Sequence, residues 1–368
     1  MSTRPEAFSQ PSDGRVVRLL KDGYWDRTEV IELADGTRRV RKRNKPAATG
    51  PWGVESLRRE IHYLATVPAR AAAVLPRVLA TWDRESAGAP DIGYEMPFYA
   101  QHTDAGEIAR RRALSQPEID HFQAELAEAV LHRLHEPASR EIVTQGINTP
   151  HPLSRHLVQA IRQALDGLEA EPDLARVING AEIELNGAPA IGTRAALEQI
   201  IGKTDALAVL DRVPAVRIHG DFFLENILWR QVELGNEPRL VLVDPVSVAG
   251  VSEALPLFDL VKYESYATGE LVALRSERVE VTGMDAHDLR FTWRVRWDDP
   301  ALQPYRELNW HSGFRRAYEA KYGAVDRRLY RLLDGYFSAA MALNTVGLQR
   351  RARLLKATAD LNAVLAGG

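Results

Sequence analysis

The chain has no cysteine among its 368 residues, which excludes disulfide bonds, thiolate zinc sites and a cysteine nucleophile. It also lacks any apolar run near the ~20 residues that a membrane-spanning helix needs. Its first residues include Arg4, Glu6 and Asp13, so an apolar signal core is missing. Neither sign of charge dominates, because 47 Lys and Arg oppose 50 Asp and Glu and leave a net charge of −3. These absences argue against nucleic-acid and membrane partners and favour a cytoplasmic protein.

What the sequence does contain is an ordinary globular composition, with 45% hydrophobic and 26% charged residues and enough length for two domains. Short apolar stretches bounded by turn residues predict strands over 16–20, 28–33, 37–43, 78–82 and 92–98. Apolar residues at helical spacing predict helices over 54–66, 117–135, 153–168, 193–210 and from 302 onward. Alternation predicts a further hairpin with arms over 271–281 and 289–297. The whole pattern indicates an α+β protein.

The sharpest feature is the sequence His-Gly-Asp ending at Asp221, followed by four residues and then Asn226. Apolar runs over 227–232 and 239–243 flank a Gly-Asn-Glu-Pro turn and predict a hairpin that ends at Asp244. Paired strands lie about 5 Å apart, so Asn226, which enters the first arm, should lie beside Asp244, which leaves the second. Asp221 is one short loop upstream. Two carboxylates and an amide carbonyl would then converge, and these are hard oxygen ligands suited to Mg²⁺.

This arrangement resembles the catalytic and metal loops of the aminoglycoside phosphotransferase and choline kinase family of small-molecule kinases, which are relatives of the protein kinases. The resemblance implies that Asp221 accepts the proton of the acceptor hydroxyl and that Asn226 and Asp244 bind the metal. It also implies that His219 braces the loop. One departure is Pro245, which follows Asp244 where protein kinases have Phe-Gly. Proline restricts its own backbone and that of the residue before it, which predicts a stiffer metal loop.

The same resemblance assigns nucleotide-binding residues to the N-terminal strands. By strand alternation, Val40 and Lys42 share one face of the third strand, and arginines occupy the other. Lys42 resembles the lysine that holds the α and β phosphates, and Arg41 takes that place if the register shifts by one residue. Glu60, in the helix that follows, resembles the partner of this lysine, with Glu55 as the alternative.

Further positions follow from the resemblance in the same way. Gly23 lies in the loop predicted to cover the nucleotide phosphates, where the alternative is an ordinary turn glycine. Met96 and Phe98 fall at the family's hinge, which hydrogen-bonds adenine through backbone groups. Asp259 resembles a residue that bonds the catalytic loop and holds it rigid, where the alternative is a simple helix cap. The implied lobes are residues 1–97 for nucleotide binding and 98–368 for catalysis and acceptor binding, with a helical insertion over 137–216.

The resemblance therefore implies a bilobal protein-kinase-like fold with a five-stranded antiparallel lobe and a larger, mainly helical lobe. The implied activity is transfer of the γ-phosphate of ATP, or of GTP in its place, to a small-molecule hydroxyl with Mg²⁺ as cofactor. A sugar, an aminoglycoside, a nucleoside or another alcohol would serve as acceptor. A catalytically inactive pseudokinase, acting as a nucleotide-binding or scaffold module, is the alternative. A protein kinase is disfavoured because only 14 residues separate Asp244 from Asp259, too few for an activation segment.

Overall fold

The computed structural model describes residues 10–23, 26–45, 51–86, 88–137, 153–231, 238–245, 252–285 and 288–367. The chain divides into two compact units. Unit 1 consists of Met1–Ile108, Glu125–Glu136 and Arg217–Glu253, and unit 2 of Ala109–Ala124, Pro137–Val216 and Ala254–Gly368. The lobe boundary at residue 97 stays a prediction of the sequence.

Unit 1 is built on a five-stranded antiparallel sheet with strand order β1-β2-β3-β5-β4. The five predicted strands are confirmed, as β1 (Gly14–Asp22), β2 (Asp26–Leu33), β3 (Arg38–Asn44), β4 (Ala80–Ser86) and β5 (Ala89–Pro97). The predicted helix after the third strand is confirmed as α1 (Pro51–Ala65), and a short α2 (Ala69–Ala72) follows it. Asp35-Gly36 makes the turn between β2 and β3, where Gly36 has φ +79°. Glycine adopts this left-handed conformation without strain, which explains the tight turn.

A second, three-stranded sheet in unit 1 carries the predicted hairpin. Its order is β11-β10-β6, with β6 (Thr103–Asp104), β10 (Ile227–Trp229) and β11 (Leu240–Leu242). β10 and β11 are antiparallel, with Ile227 opposite Leu242, which confirms the hairpin. The predicted turn over 235–238 and the end of its first arm fall largely on residues 232–237, outside the described residues.

One apolar cluster joins these parts of unit 1. Val40 of β3, Leu57 of α1 and Tyr94 of β5 are buried together with Val241 and Val243 of the hairpin. Burial of such side chains provides the main favourable free energy of folding. The cluster therefore fixes β3, α1 and the hairpin end relative to one another, and these elements carry or adjoin Lys42, Glu60 and Asp244.

Unit 2 is mainly helical. Its helices are α5 (Leu153–Leu168), α6 (Pro172–Asn179), α7 (Thr193–Lys203), α8 (Ala206–Arg212), α9 (Leu257–Ala267), α10 (Glu270–Arg275), α11 (Gln303–Glu307), α12 (Ser312–Tyr322), α13 (Arg327–Leu343) and α14 (Gly347–Leu365). A four-stranded sheet, in the order β13-β14-β7-β8, contains β7 (Ile183–Leu185), β8 (Ala188–Ala190), β13 (Val279–Thr282) and β14 (Arg290–Val295). A 3₁₀ turn spans Pro300–Leu302.

Four elements lie across the division between the units, namely α3 (Ala105–Arg110), α4 (Gln116–Ala127), β9 (Val216–Arg217) and β12 (Glu253–Ala254). The helix predicted over 117–135 consists of α4 and a π-helical segment, Glu128–Leu134. Among the described residues, no helix is both long and apolar enough to cross a membrane.

Two sequence predictions in unit 2 are corrected. The stretch 271–281 was expected to be one strand, but it begins within α10 and enters β13 only at Val279. Leu271 and Leu274 are both buried and lie three residues apart, which is helical spacing. The helix predicted over 193–210 is two helices, because the chain is extended at Thr204 between α7 and α8.

Candidate active site

The loop around Asp221 is held by buried polar contacts within unit 1. Gly220 has φ +83°, a conformation that suits glycine and turns the chain between His219 and Asp221. A ring nitrogen of His219, Nε2, lies 2.9 Å from the carbonyl oxygen of Val243, and the His219 side chain is buried. The Tyr63 hydroxyl of α1 donates to the carbonyl oxygen of Ile218 at 2.9 Å. The loop is thus fixed both to the hairpin end and to the helix.

Asn226 closes the loop that begins at Asp221. Its Nδ2 donates to the backbone oxygen of Asp221 at 2.8 Å and lies 3.3 Å from the carboxylate oxygen Oδ2 of the same residue. A 3₁₀ turn over Leu224–Asn226 sets this approach. Because the amide nitrogen faces Asp221, the amide oxygen is the atom that could bind a metal ion.

Asp244 directly follows Val243, the hairpin residue that pairs with Asn226. The backbone N–H of Val243 donates to the carbonyl oxygen of Asn226 at 2.9 Å. Asp244 has φ +56°, although the residue before a proline normally prefers extended backbone. A non-glycine residue in this conformation costs free energy, and such residues cluster at functional sites. The packed hairpin therefore holds Asp244 in a strained position that the sequence alone did not reveal.

Two lysines bind the Asp244 carboxylate. Lys42 Nζ lies 3.1 Å from Oδ1, and Lys21 Nζ lies 2.9 Å from Oδ2. Burial alone would raise the pKa of Asp244, but the two ammonium groups outweigh it and hold that pKa below its usual range. Asp244 is therefore ionised at neutral pH, as a metal ligand must be.

Lys42 also forms the ion pair that the resemblance implies. Its Nζ lies 3.0 Å and 2.8 Å from the two carboxylate oxygens of Glu60, and the Tyr94 hydroxyl donates to Glu60 Oε1 at 2.8 Å. Burial and the nearby Asp244 raise the pKa of Glu60 to about 7, against the opposing effect of Lys42. A continuous chain of contacts thus runs from Tyr94 through Glu60 and Lys42 to Asp244.

The two alternatives that the sequence left open face other partners. Arg41 points to the opposite side of β3, where its Nη2 lies 2.9 Å from Glu95 Oε1. Glu55 pairs with Arg59, one helical turn further along α1, at 3.2 Å. The register of β3 therefore brings Lys42, and not Arg41, to Glu60 and Asp244.

The remaining predicted residues are placed as follows. Gly23 follows β1 directly, and a Cβ atom there would lie 2.5 Å from Asp26 Oδ1, so a larger residue would require the Asp26 side chain to move. Met96 is buried opposite Val40, and Phe98 packs on the same cluster.

Asp259 is fully buried in the first turn of α9 in unit 2, and Pro256, not Asp259, precedes that helix as its cap residue. The nucleotide and loop contacts expected of these residues stay predictions.

Three residues at this site were missed in the sequence. Lys21 lies near the end of β1 and Asp26 begins β2, although both belong to a stretch that the sequence predicts as a polar loop. Asp26 Oδ2 is 3.4 Å from Lys42 Nζ. Tyr94 lies directly opposite Lys42 in the β3–β5 register. The alternation of β5 could have indicated Tyr94, whereas a polar loop gives no signal for which of its charges turn inward.

The donor chemistry fits a divalent cation. Asp221, Asn226 and Asp244 offer two carboxylates and an amide, all hard oxygen donors. Among the described residues, no three His, Asp or Glu side chains form a group that could hold a metal ion by itself. Mg²⁺ is commonly bound by one or two carboxylates together with substrate phosphates and water, so a full protein cage is not required.

Such a site, with two carboxylates on neighbouring loops and a paired lysine on an antiparallel sheet, is typical of kinase-like phosphotransferases. Residues 16–245 match the phosphotransferase enzyme family, which is more than half of the chain. The chain belongs to this family, and it is a phosphotransferase. No curated protein matches the chain significantly.

Three solved structures align with nearly the whole chain. A candidate fructosamine-3-kinase from Thermobifida fusca is 17% identical, with 96% of this chain and 95% of that chain covered and a TM-score of 0.48. A macrolide 2′-phosphotransferase from Brachybacterium faecium is 19% identical, with coverages of 95% and 93% and a TM-score of 0.43. A glucosamine kinase bound to glucosamine, ADP and inorganic phosphate is 16% identical, with coverages of 98% and 95% and a TM-score of 0.37.

Proposed function

We propose that the protein transfers the γ-phosphate of ATP to a hydroxyl group of a small molecule, with Mg²⁺ as the metal cofactor. The observation that carries this proposal is the chain of contacts from Tyr94 to Asp244. It joins a lysine of the five-stranded sheet to the carboxylate that ends the hairpin. A structural ion pair would not need two lysines on one strained carboxylate, whereas a metal-dependent phosphate site needs that carboxylate ionised and fixed.

Each residue then has a defined part in the reaction. Asp221 orients the acceptor hydroxyl and takes its proton while the acceptor oxygen bonds to the γ-phosphorus. The bond from that phosphorus to the β–γ bridging oxygen breaks, and ADP leaves with the bonding electrons. Lys42, held by Glu60, offsets negative charge on the phosphates. Asn226 and Asp244 would hold the Mg²⁺ ion, which when bound neutralises phosphate charge.

The acceptor and the nucleotide are identified by one experiment. Purified protein is incubated with Mg²⁺, with ATP or GTP, and with candidate sugars, aminoglycosides, nucleosides and other alcohols. Mass spectrometry then detects acceptors that gain one phosphoryl group. We expect ATP to serve as donor and at least one small alcohol to be phosphorylated. An Asp221→Asn preparation run in parallel identifies transfer by a contaminating kinase.

A pseudokinase is the outcome that would contradict this proposal. It would bind nucleotide in a thermal-shift assay with Mg²⁺ but would neither phosphorylate an acceptor nor hydrolyse ATP slowly to ADP and phosphate. Slow hydrolysis of ATP that is lost in Asp221→Asn would show that the protein is an active enzyme even before its acceptor is identified.

Glu60→Gln is expected to lower kcat/KM for ATP about 10- to 100-fold, mainly through KM. Glu60 is one of three carboxylates around Lys42, so its loss costs about 2 kcal/mol and leaves Lys42 less firmly placed. Glutamine keeps the size of Glu60 and can still accept from Tyr94, so the fold should survive. Glu55→Gln on the same helix is the matched control, since Glu55 pairs with an exposed arginine. Steady-state kinetics with varied ATP measures both variants. An equal change in KM for both would show that the Lys42 pair has no special role.

A further inference from the structure

Lys21 and Lys42 occupy opposite oxygens of one carboxylate. Lys21 lies near the end of β1, two residues before Gly23, and binds Asp244 Oδ2, while Lys42 binds Oδ1. The family resemblance assigns the phosphate-binding charge to Lys42, or to Arg41 if the register shifts, and gives no role to Lys21. The second ammonium group on the same acid therefore needs its own explanation.

The two lysines differ in how fully they are engaged. The Lys42 side chain is 3% exposed, and its ammonium group faces Glu60, Asp244 and Asp26. An ammonium has three N–H donors, so three carboxylates can occupy all of them. The Lys21 side chain is 55% exposed, and its ion pair is with Asp244. Of the two, Lys21 is the one with N–H donors available to an incoming anion.

We infer that Lys21 is a phosphate-binding residue of the nucleotide site, and that a divalent cation bound by Asp244 replaces the Lys21 ammonium at Oδ2. This inference rests on the proposed nucleotide and metal binding. An ammonium and a dication at one carboxylate oxygen repel each other strongly, so the two compete. The displaced Lys21 ammonium lies next to the loop that is predicted to cover the nucleotide phosphates. It then binds one of these phosphate groups. Metal binding at Asp244 therefore favours phosphate binding by Lys21, and phosphate binding by Lys21 favours metal binding at Asp244.

Lys21→Met tests the inference, because methionine keeps the length and apolar stem of lysine without its charge. We expect the affinity for ADP or a non-hydrolysable ATP analogue, measured by calorimetry with Mg²⁺, to fall about 10-fold. We also expect the affinity for Mg²⁺ alone, without nucleotide, to rise at least about 3-fold, because the competing cation is gone. Lys21→Arg keeps the charge and should restore most of the nucleotide affinity without the gain for Mg²⁺.

Lys45→Met is the matched control. Lys45 follows β3 in the same sheet, and its Nζ lies 2.8 Å from the exposed Asp22, so its loss removes one positive charge without touching Asp244. Both affinities should then stay near wild type. A purely structural Lys21 would predict that Lys21→Met weakens Mg²⁺ and nucleotide binding together and lowers the melting temperature. That result, or unchanged nucleotide affinity, would overturn the inference.

The experiment also separates this inference from the proposed function. If wild-type protein binds no nucleotide with Mg²⁺, the proposed function and the role of Lys21 both fail. If the wild type binds nucleotide and Lys21→Met binds it equally well, the nucleotide and metal binding on which the proposed function depends is supported, and only the role of Lys21 fails.

Discussion

Asp221→Asn is expected to lower kcat by ~10²–10⁴-fold while nucleotide affinity stays within about 3-fold. Asparagine has the size of aspartate, and the bond from Asn226 Nδ2 to the backbone oxygen of residue 221 does not depend on the carboxylate. The loop should therefore keep its conformation. The amide, however, cannot accept the hydroxyl proton in the transfer step. Turnover with the identified acceptor and calorimetry with ADP and Mg²⁺ measure the two effects separately.

The control for this prediction is Glu225→Gln, which makes the same carboxylate-to-amide change in the same loop at a residue with no proposed role. Its turnover should lie within a few-fold of wild type. Asp221→Ala should lose as much activity as Asp221→Asn, because both lack the base. If Asp221→Asn turned over near the wild-type rate, Asp221 could not be the proton acceptor. If it lost nucleotide affinity as strongly as turnover, Asp221 would act mainly through the metal.

Much of the site was readable from the sequence because its parts lie close together along the chain. Asp221, Asn226 and Asp244 belong to one loop and one hairpin, so local rules of strand pairing brought Asn226 opposite Val243, the residue before Asp244. Strand alternation placed Lys42 on the opposite face from Arg41. The choice of Glu60 over Glu55 needed the family resemblance, since both are helix glutamates within reach of a preceding strand.

The contacts that the sequence did not predict join residues far apart along the chain. Rules of local secondary structure do not apply to such pairs. Lys21 and Asp244 are 223 positions apart, and only the folded sheet and hairpin bring them together. The positive φ of Asp244 is likewise set by packing, because its neighbour Pro245 favours the opposite backbone region. Such strain cannot be predicted from residue types, and it is found at the residue to which we assign the metal.

The errors in unit 2 have local causes. Leu271 to Val281 is too short for periodicity to separate a helix from a strand, and the structure has some of each. The small β7–β8 hairpin was missed although its turn, Asn186-Gly187, has the two-residue sequence that favours a tight hairpin. Both residues have positive φ, +54° and +79°, as this turn type requires. The two flanking strands have only three residues each, too few to show alternation.

Asp244→Asn is expected to remove the Mg²⁺-dependent part of nucleotide affinity and to lower turnover by at least ~10²-fold, because a bound metal contributes several kcal/mol of charge stabilisation. Asparagine is a more selective substitution than alanine at position 244. It tolerates positive φ as aspartate does, whereas alanine would add backbone strain at φ +56° to the loss of the ligand. Calorimetry with ADP, in Mg²⁺ and in EDTA, measures the Mg²⁺-dependent part directly.

The effect of Asp244→Asn on stability must be separated from its effect on metal binding. The substitution leaves Lys42 with Glu60 but removes the ion-pair partner of Lys21. Lys21 is half exposed and can turn to water, so the loss of folding stability should be modest. Asp259→Asn, at a buried acid predicted to have a structural role, is the comparison: it should lower the melting temperature without abolishing the Mg²⁺ dependence. Nucleotide affinity of Asp244→Asn that still rose with Mg²⁺ as in the wild type would remove Asp244 from the metal site.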